Sequence, residues 1–496
     1  MSVFPVGSIC LEVEHRNPGV DGGPTLRVRD TERGREWLRF DCFARGGHWH
    51  LDPAGRDQIA QFEAGFDSLG WTLAQLRADC PGLLARAGFG AELDARALAD
   101  ALDAVERAMH NPPAELDAVR PSDRRPSRGE KWTTYPDDVL PLWVADMDFP
   151  VAEPIRRVLR FAVERSDLGY PIHPAPTPIP ELTAARMERL HGWAVAPERV
   201  EILADVVQGM YIAVHQFSEP GDGVVVQTPI YPPFLGSVAK QGRRLDENPL
   251  ALSARGYQFD LDRLRRETDA RTRILLLCNP HNPTGRAFRR DELEPLAALA
   301  IERDWLVVAD EIHQDLVWGG RRHVPFASLG PEVEARTITL TAASKAFNIA
   351  GLRCGVAIFG SDELKRRFCA LPRHIRGGIG MLGIEALDAA WRHSGPWLDE
   401  VRAYLEANRG FVIDFVRDEL PGVVLHPPEA TYLAWLDCRT LDLRPSPFAF
   451  FLEKAKVALS DGATFGAPGR GFARINFATS RAILSDALER IAKALR

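Results

Sequence analysis

The sequence lacks the features that mark several specialised classes of protein. No apolar run approaches the roughly 18 residues that a membrane-spanning helix needs. The first residues, MSVFPVGSICLEVEHR, show no basic region followed by an apolar one, so they do not predict an export signal. With 61 Lys and Arg against 68 Asp and Glu, the net charge is -7 and the two signs are interspersed, which leaves no basic surface for nucleic acid. These absences predict a small-molecule partner, with neither nucleic acid nor membrane.

Cysteine is scarce as well, with 7 residues in a chain of 496. An odd number of scattered cysteines does not predict a disulfide framework and is typical of reduced thiols, so we expect a cytoplasmic protein. The apolar fraction of 45% and the charged fraction of 26% are those of an ordinary globular chain. A chain of this length has room for about two or three domains.

A shift in composition divides the chain near residue 110. Residues 111–130, NPPAELDAVRPSDRRPSRGE, are rich in Pro, Arg, Ser and Asp without an apolar period, which predicts a linker. Before it, three runs between residues 9 and 42 alternate apolar and polar residues like half-buried strands, and residues 91–110 show one apolar helical face. We therefore predict that residues 1–110 form a small α+β domain, whose role the sequence does not reveal.

Two histidines in that region raise the question of a metal. In the stretch GGHWH, His48 and His50 would lie on one face of a strand, as two metal ligands could. No third ligand stands at a recognisable spacing, so we predict no metal site.

After the linker, short apolar runs alternate with helical stretches. The runs cover residues 224–227, 274–278, 305–309, 337–341 and 354–359. This pattern predicts an α/β domain with a mainly parallel sheet that is covered on both faces. Ligands of such sheets bind beyond the carboxyl ends of the strands.

Chemically distinctive residues follow three of these runs. The turn NPHNPTG follows one run, DEIH begins at Asp310 after the next, and AASKAFNIAGLR brings Lys345 and Arg353 after a third. An amide, a carboxylate, a lysine and an arginine at one sheet edge are the set that a pyridoxal phosphate site needs.

From about Trp132 to Arg496 the chain resembles the fold-type I, class I/II aminotransferase family, and within it the cystathionine β-lyase-like branch of carbon-sulfur lyases. The matching stretches are LPLWVADMDFP, LGY, GDGVVVQTPIYPPF, CNPHNPTGRAF, VVADEIHQDLVW, SKAFNIAGLR, ATYLAWLD and GRGFARINFATSR. The resemblance implies a three-layer αβα large domain at about residues 165–400. It also implies a small α/β domain built from about residues 131–164 and 401–496.

The resemblance also implies which residues bind the cofactor ring and the substrate. Lys345 matches the lysine that holds the cofactor covalently, and Asp310 matches the carboxylate that pairs with the pyridine nitrogen. Asn282, in a turn shaped by its prolines, would hold the ring hydroxyl, and Tyr231 would stack on the ring. Arg474 matches the arginine that binds the substrate α-carboxylate.

A second group of residues matches the ligands of the cofactor phosphate. Val206 and Val207 align with a helix N-terminus whose backbone N-H groups receive the phosphate. Ser344 and Arg353 match two side-chain ligands. Tyr170 matches a tyrosine that reaches the phosphate from a second subunit, so the resemblance implies a homodimer.

Two positions depart from the family pattern, and one histidine has two interpretations. Asp205 stands where relatives often have glycine or serine; because an acid would repel phosphate there, we expect it to cap the helix instead. Ala342 replaces a serine that bonds the phosphate in many relatives, so one phosphate contact is expected to be missing. His313 is placed among the cofactor contacts, although a buried core histidine is the alternative.

The reaction follows from what becomes of the substrate after Lys345 removes its α-proton as general base. Elimination of a thiolate from the β-carbon would yield thiol, pyruvate and ammonia, whereas transamination would yield a keto acid. DEIH favours elimination, because aminotransferases of the family commonly have a tyrosine in place of His313. We therefore predict a β-lyase acting on a cysteine S-conjugate or cystathionine-like amino acid. The alternatives are an aminotransferase and a catalytically quiet regulator that keeps the fold.

Overall fold

The computed structural model describes residues 2–16, 23–43, 47–63, 68–90, 92–110, 116–171, 177–253 and 256–496. They form two compact units. The first comprises the described residues of 1–114, 152–167 and 393–397, and the second comprises the described remainder. Among these residues, no helix is both long and apolar enough to cross a membrane.

The first unit contains a six-stranded antiparallel sheet whose spatial order follows the chain. Its strands are β1 (Ser2–Val6), β2 (Ile9–Arg16), β3 (Gly23–Asp30), β4 (Glu36–Asp41), β5 (His48–Leu51) and β6 (Gln58–Gln61). Two helices, α1 (Ser68–Ala87) and α2 (Ala95–His110), pack on one face of it. The alternation in the sequence explains this arrangement, since Leu11, Val28 and Phe40 all point into the core beneath the helices.

An aspartate at a helix start shapes both α1 and α2. The α1 span is kinked at Asp79, whose carboxylate accepts a hydrogen bond from the N-H of Gly82 at 2.9 Å and so caps the second segment. The sequence pattern extended the second helix back to residue 91, whereas α2 begins at Ala95. Asp94 accepts from the N-H of Ala97 at 2.7 Å, which fixes the helix start there.

The predicted linker is shorter in the structure than in the sequence pattern. Residues 111–115 lie outside the described residues, but Leu116 and Val119 are buried, with 3% and 7% exposure. The hydroxyl of Ser480 donates to the carbonyl of Val119 at 2.7 Å, and that of Tyr404 donates to Asp117. Residues 116–130 thus belong to the second unit, because these two apolar side chains are buried and Asp117 and the Val119 carbonyl accept hydrogen bonds from that unit.

Fifteen strands lie in the described part of the second unit. In chain order they are β7 (Leu140–Pro141), β8 (Val200–Leu203), β9 (Gly223–Val226), β10 (Arg244–Glu247), β11 (Ala251–Ser253), β12 (Gly256–Gln258), β13 (Thr272–Cys278), β14 (Leu306–Asp310), β15 (Thr337–Thr341), β16 (Gly355–Phe359), β17 (Val424–Leu425), β18 (Leu433–Asp437), β19 (Val457–Ala458), β20 (Ser460–Asp461) and β21 (Phe472–Asn476).

The α-helices after residue 115 range from single turns to a helix of 25 residues. They are α3 (Pro121–Arg124), α4 (Glu130–Thr133), α5 (Glu153–Glu164), α6 (Ile179–His191), α7 (Val206–Phe217), α8 (Pro232–Ala239), α9 (Leu261–Glu267), α10 (Arg290–Glu302), α11 (Pro331–Glu334), α12 (Asp362–Cys369), α13 (Arg373–Arg376), α14 (Met381–His393), α15 (Gly395–Glu419), α16 (Pro447–Phe450) and α17 (Arg481–Leu495).

Seven strands form the main sheet, in the order β10-β9-β13-β14-β15-β16-β8. The five from β10 to β15 are parallel, while β16 runs antiparallel to both of its neighbours. The expected mainly parallel sheet is therefore present, but the run at residues 354–359 is its one reversed strand. Since two reversals restore the direction, β8 points the same way as the parallel strands.

Side chains of the main sheet enter two separate cores. Val226, Leu276 and Val308 pack with α7, α8 and α12 on one face. Leu275 and Val307 pack with α9 and α10 on the other. Both faces are thus covered, which explains why these strands read as continuous apolar runs and gives the expected three-layer αβα arrangement. A smaller sheet, in the order β17-β18-β21-β20, lies in the C-terminal part of the unit.

Truncating a buried residue of the supposed linker tests its assignment to the second unit. Leu116→Ala should lower the stability of that unit by about 2–4 kcal/mol, because a buried leucine is replaced by a cavity. The control Leu252→Ala, at a residue with 44% exposure, should change it by less than about 1 kcal/mol. Thermal unfolding followed by circular dichroism measures both. Equal, small effects of the two substitutions would return residues 116–130 to the linker.

Candidate active site

One edge of the main sheet collects the predicted site residues. The parallel strands β9, β13, β14 and β15 all end at this edge, as does β8, and the reversed strand β16 begins there. The segments that continue from these ends carry nine of the predicted residues, which are Val206, Val207, Tyr231, Asn282, Asp310, His313, Ser344, Lys345 and Arg353. Backbone hydrogen bonds join neighbouring segments, for example from Asn279 N to Asp310 O at 3.0 Å and from Tyr231 N to Asn282 O at 3.1 Å.

Lys345 stands four residues beyond β15, and its side chain is half-buried. Its amine donates a hydrogen bond to the main-chain carbonyl of Ala145 at 2.8 Å. Burial lowers the pKa of the amine; Asp146 and Asp310 oppose this shift, whereas Arg474 adds to it. Such an amine loses its proton more readily than an exposed lysine, which is what a general base requires.

Asp310 is the last residue of β14 and is buried, with 7% exposure. Its Oδ1 accepts a hydrogen bond from the N-H of Ile312 at 3.1 Å. Burial raises the pKa of this carboxyl to about 7, in spite of the nearby Lys345. A carboxyl so poorly solvated gains strongly from a cationic partner, which a protonated ring nitrogen would provide.

Asn282 and Arg474 meet inside the site. The Oδ1 of Asn282 accepts from Nη1 of Arg474 at 2.9 Å, and both side chains are buried. The turn that holds Asn282 ends at Gly285, with a φ of +70° and Pro428 so close that an added Cβ would clash. The other guanidinium end of Arg474 donates to the Trp143 carbonyl at 2.7 Å and to the Ser460 hydroxyl at 3.0 Å. Burial lowers the pKa of Arg474 to about 10, which leaves it cationic near neutral pH.

Three ring side chains surround these charges. Burial raises the pKa of Tyr231, on which the charges of Arg474 and Asp310 also act, so this tyrosine lies among the site residues. His313 is buried, and its Nδ1 has no hydrogen-bond partner among the described residues. Burial, followed by the charges of Lys345 and Arg474, lowers the pKa of His313 to about 3, so the imidazole is neutral. Its ring meets that of Tyr432 edge to face at 5.9 Å.

A strap of residues 143–149, WVADMDF, carries the carbonyl that holds Lys345. The Tyr432 hydroxyl donates to the same Ala145 carbonyl at 2.8 Å. Asn476 donates to the carbonyls of residues 144 and 146 at 2.6 and 2.7 Å. Asn348, three residues after Lys345, exchanges two hydrogen bonds of 3.0 Å with the backbone of Met147. The strap is therefore fixed by side chains from the lysine loop and from the small sheet.

The start of α7 and Arg353 form the predicted phosphate end of the site. Asp205 is the N-cap of α7, and its Oδ1 accepts from the N-H of Gln208 at 2.7 Å, as expected for a helix cap. Its other oxygen pairs with the guanidinium of Arg353. Helix geometry leaves the N-H groups of Val206 and Val207 without intrahelical partners. Ala342 is buried, and an alanine supplies no hydroxyl at that position.

Tyr170 does not join the site within this chain. Its side chain is fully exposed, with a relative accessibility of 102%. Tyr170 therefore does not contact the site of its own chain. Its predicted contact with the cofactor phosphate of a second subunit stays a prediction.

The residues fit pyridoxal phosphate in their chemistry. The site offers an amine of lowered pKa, a buried carboxyl that needs a cationic partner, and a buried imidazole whose Nδ1 lacks one. It also offers a helix N-terminus beside an arginine for a phosphate. In the roles that the resemblance implies, Lys345, Asp310 and Asn282 would hold the ring, and Arg353 with the α7 backbone would hold the phosphate.

Two further groups contain residues that the sequence pattern did not indicate, namely Tyr432 with the strap, and Asp41 beside the two histidines of GGHWH. Tyr432 and the strap lie in stretches that match the family, but only their folding beside Lys345 reveals the contact. In the first unit, Asp41 pairs with His48 across β4 and β5, and it completes a cluster with His48 and His50 whose polar atoms lie within 4.8 Å of one another. Arg39 contacts His50 at 2.6 Å and Asp41 at 3.2 Å, so an arginine already stands between these groups.

The chain belongs to the aminotransferase class I and II family, which it matches over residues 139–491. Residues 3–109 match a domain of unknown function, DUF7700. The chain is 41% identical over 362 residues to cystathionine β-lyase PatB of Bacillus subtilis, which covers 72% of this chain and 93% of that protein.

Two solved structures extend the comparison to the fold and the cofactor. Cystalysin from Treponema denticola, which contains pyridoxal 5'-phosphate, is 32% identical with a TM-score of 0.72, covering 75% of this chain and 96% of that one. The PLP-bound C-S lyase from Staphylococcus hominis is 30% identical with a TM-score of 0.72, covering 77% and 98%. The expected family, its cystathionine β-lyase-like branch, the fold-type I architecture and the cofactor pyridoxal 5'-phosphate are thus confirmed.

The raised pKa of Asp310 predicts a pH-dependent stability of the cofactor-free protein. Between about pH 4 and 7 the folded state keeps a proton that the unfolded state has released, so this contribution to stability falls as the pH rises through that window. Above about pH 7 the ionised, buried carboxyl of Asp310 lowers the free energy of unfolding by about 4 kcal/mol. Asp310→Asn removes the charge, so its gain in melting temperature over the unsubstituted protein should be larger at pH 8 than at pH 5.

A surface aspartate serves as the control for this comparison. The side chain of Asp137 is 93% exposed. Asp137→Asn should therefore change the melting temperature by the same small amount at both pH values. A gain for Asp310→Asn that does not change between pH 5 and 8 would contradict the raised pKa.

Proposed function

We propose that the protein is a pyridoxal-phosphate-dependent carbon-sulfur lyase that performs β-elimination on cystathionine or a related cysteine S-conjugate. The observation that carries the proposal is the half-buried amine of Lys345 at the same sheet edge as the buried carboxyl of Asp310. The likeness to lyases over about three quarters of the chain favours elimination over transamination.

When bound, the cofactor supplies an electron sink that weakens the bonds to the substrate's α-carbon. Asp310 would hold the proton on the ring nitrogen, because its buried carboxylate gains from a cationic partner. The amide N-H of Asn282 would hold the ring hydroxyl, while its Oδ1 accepts a hydrogen bond from Arg474. The turn and the neighbouring strand end would thus supply the two side chains that hold the ring.

Arg474 binds the substrate carboxylate through its planar fork of N-H donors. Its contacts with the carbonyl of Trp143 and the hydroxyl of Ser460 fix the direction of the guanidinium. A substrate carboxylate bound there would lie near Lys345, because the charge of Arg474 acts on the Lys345 amine.

Lys345 takes the α-proton, since burial lowers the pKa of its amine. The bond between the β-carbon and sulfur then breaks, and the sulfur leaves as a thiolate. The remaining three-carbon enamine hydrolyses to pyruvate and ammonia. The Ala145 carbonyl holds the amine in the site, because it accepts hydrogen bonds from both the Lys345 amine and the Tyr432 hydroxyl.

Product analysis with a single substrate tests the reaction. Incubation with cystathionine or S-methylcysteine should release thiol, pyruvate and ammonia in equal amounts over many turnovers, without an added keto acid. β-Elimination returns the enzyme to its starting form, whereas transamination leaves the cofactor as an amine. A reaction that stops after one turnover and restarts with a keto acid would identify an aminotransferase.

The amine of Lys345 can be tested by its removal. Lys345→Ala should lower the rate of pyruvate formation by a factor on the order of 10⁴ or more, because the base and the covalent anchor are both lost. Lys365→Ala is a matched control, since that lysine bonds backbone carbonyls of residues 198 and 200 away from the site. Appreciable elimination by Lys345→Ala would refute the assignment.

We further propose that the enzyme is a homodimer in which Tyr170 reaches the cofactor phosphate of the second subunit. The support is an exposed tyrosine with exposed Leu168 beside it, at 102% and 57% accessibility. Sedimentation should give a mass twice the 55.0 kDa of one chain. Tyr170→Phe should keep this mass and weaken cofactor binding severalfold, because one hydrogen bond to the phosphate is lost. A monomer, or unchanged binding, would refute the assignment.

A further inference from the structure

Asp205 lies at the place where an anion would be expected to bind. The N-terminus of a helix attracts anions through its free N-H groups and its dipole. At the start of α7 the Asp205 carboxylate lies at this place, because one oxygen caps the N-H of Gln208 at 2.7 Å, beside the N-H groups of Val206 and Val207 that have no intrahelical partner. The other oxygen pairs with Arg353. The Arg353 guanidinium and the start of α7 therefore both bind the carboxylate of Asp205.

The backbone keeps this carboxylate at the turn. Asp205 has extended dihedral angles, with φ -163° and ψ 166°, as an N-cap requires. Gly355 of β16 packs so closely that an added Cβ would lie 3.3 Å from the Val206 nitrogen. Arg353 has a left-handed backbone, with φ +51° and ψ 66°, and lies two residues before that glycine. The start of β16, which follows Arg353, thus packs directly against the backbone of Asp205 and Val206.

Among the described residues, three carboxylates and three cationic groups act on Tyr231 and Lys345 or pair with one another. Three carboxylates act there, because Asp146, Asp205 and Asp310 all raise the pKa of Tyr231. Their cationic counterparts are Lys345, Arg474 and Arg353, which act on the same groups or pair with them. A phosphate dianion entering beside Asp205 meets a like charge, and it shares Arg353 with that carboxylate.

We propose that Asp205 competes with the cofactor phosphate for Arg353 and the α7 N-terminus, and thereby weakens the hold of this enzyme on pyridoxal phosphate. The inference rests on the proposed function, since it concerns the same cofactor site. Asp205 is a positioning residue in this account: it acts on the phosphate through Arg353 and the helix start, and takes no part in the reaction.

Equilibrium binding of the cofactor to the apoenzyme tests this competition. Asp205→Asn keeps the cap, since asparagine caps helices as well as aspartate does, and removes the charge. Its dissociation constant for pyridoxal phosphate, measured by absorbance after dialysis, should fall about two- to fivefold, because the Arg353 side chain is 66% exposed and solvent screens its pairing. The gain should shrink as the salt concentration rises, because salt screens the repulsion.

Pyridoxal, which lacks the phosphate, provides the matched control ligand. Its affinity should be the same for Asp205→Asn and the unsubstituted enzyme, because the competition concerns only the phosphate. Asp205→Ser, a second neutral cap, should reproduce the gain if Asp205→Asn folds poorly. Both variants should keep the melting temperature of the apoenzyme within a few degrees, as circular dichroism would show.

The possible outcomes separate this inference from the proposed function. If the unsubstituted enzyme binds no pyridoxal phosphate, the proposed function itself fails. If it binds the cofactor but the neutral variants bind it equally or more weakly, Asp205 does not compete, and its pairing with Arg353 supports binding instead. An equal gain for pyridoxal would also overturn the proposal, because the effect would not then reside in the phosphate.

Discussion

The hydrogen bond between the Lys345 amine and the Ala145 carbonyl is the contact around which the site is arranged. A half-buried lysine without an acceptor would be costly, and an exposed one would stay protonated and point into solvent. The carbonyl lies on a strap whose backbone is bound by Asn348 and Asn476, from the two sides of the site. The lysine loop, the strap and the small sheet therefore fix one another.

The parallel sheet supplies the opposite half of the site. Adjacent strands end at one edge, so residues far apart in the chain, such as Asn282, Asp310 and Lys345, meet without long loops. Burial at this edge shifts the pKa of the carboxyl upward and that of the amine downward. These opposite pKa shifts favour the neutral forms of the Asp310 carboxyl and the Lys345 amine. Each group can therefore exchange a proton with a bound partner.

Much of this arrangement could be predicted from the sequence, because apolar runs and strand-end motifs are local signals. The parallel sheet and the cap at Asp205 follow from such patterns. The contact of Tyr432 with the strap, and the pairing of Asp41 with His48, could not be predicted, since each depends on residues brought together by sheet register. The burial of Leu116 could not be predicted either, because the polar residues around it are typical of a linker.

The most direct measurement of the central claim is chemical attachment of the cofactor. Borohydride reduction of the enzyme loaded with pyridoxal phosphate fixes the cofactor to the amine that holds it, and mass spectrometry of the peptides then locates that amine. We expect one modified residue, Lys345, in a protein that has lost its activity. Modification of another lysine, such as the buried Lys131, or no modification at all, would contradict the assignment of Lys345 as the cofactor lysine.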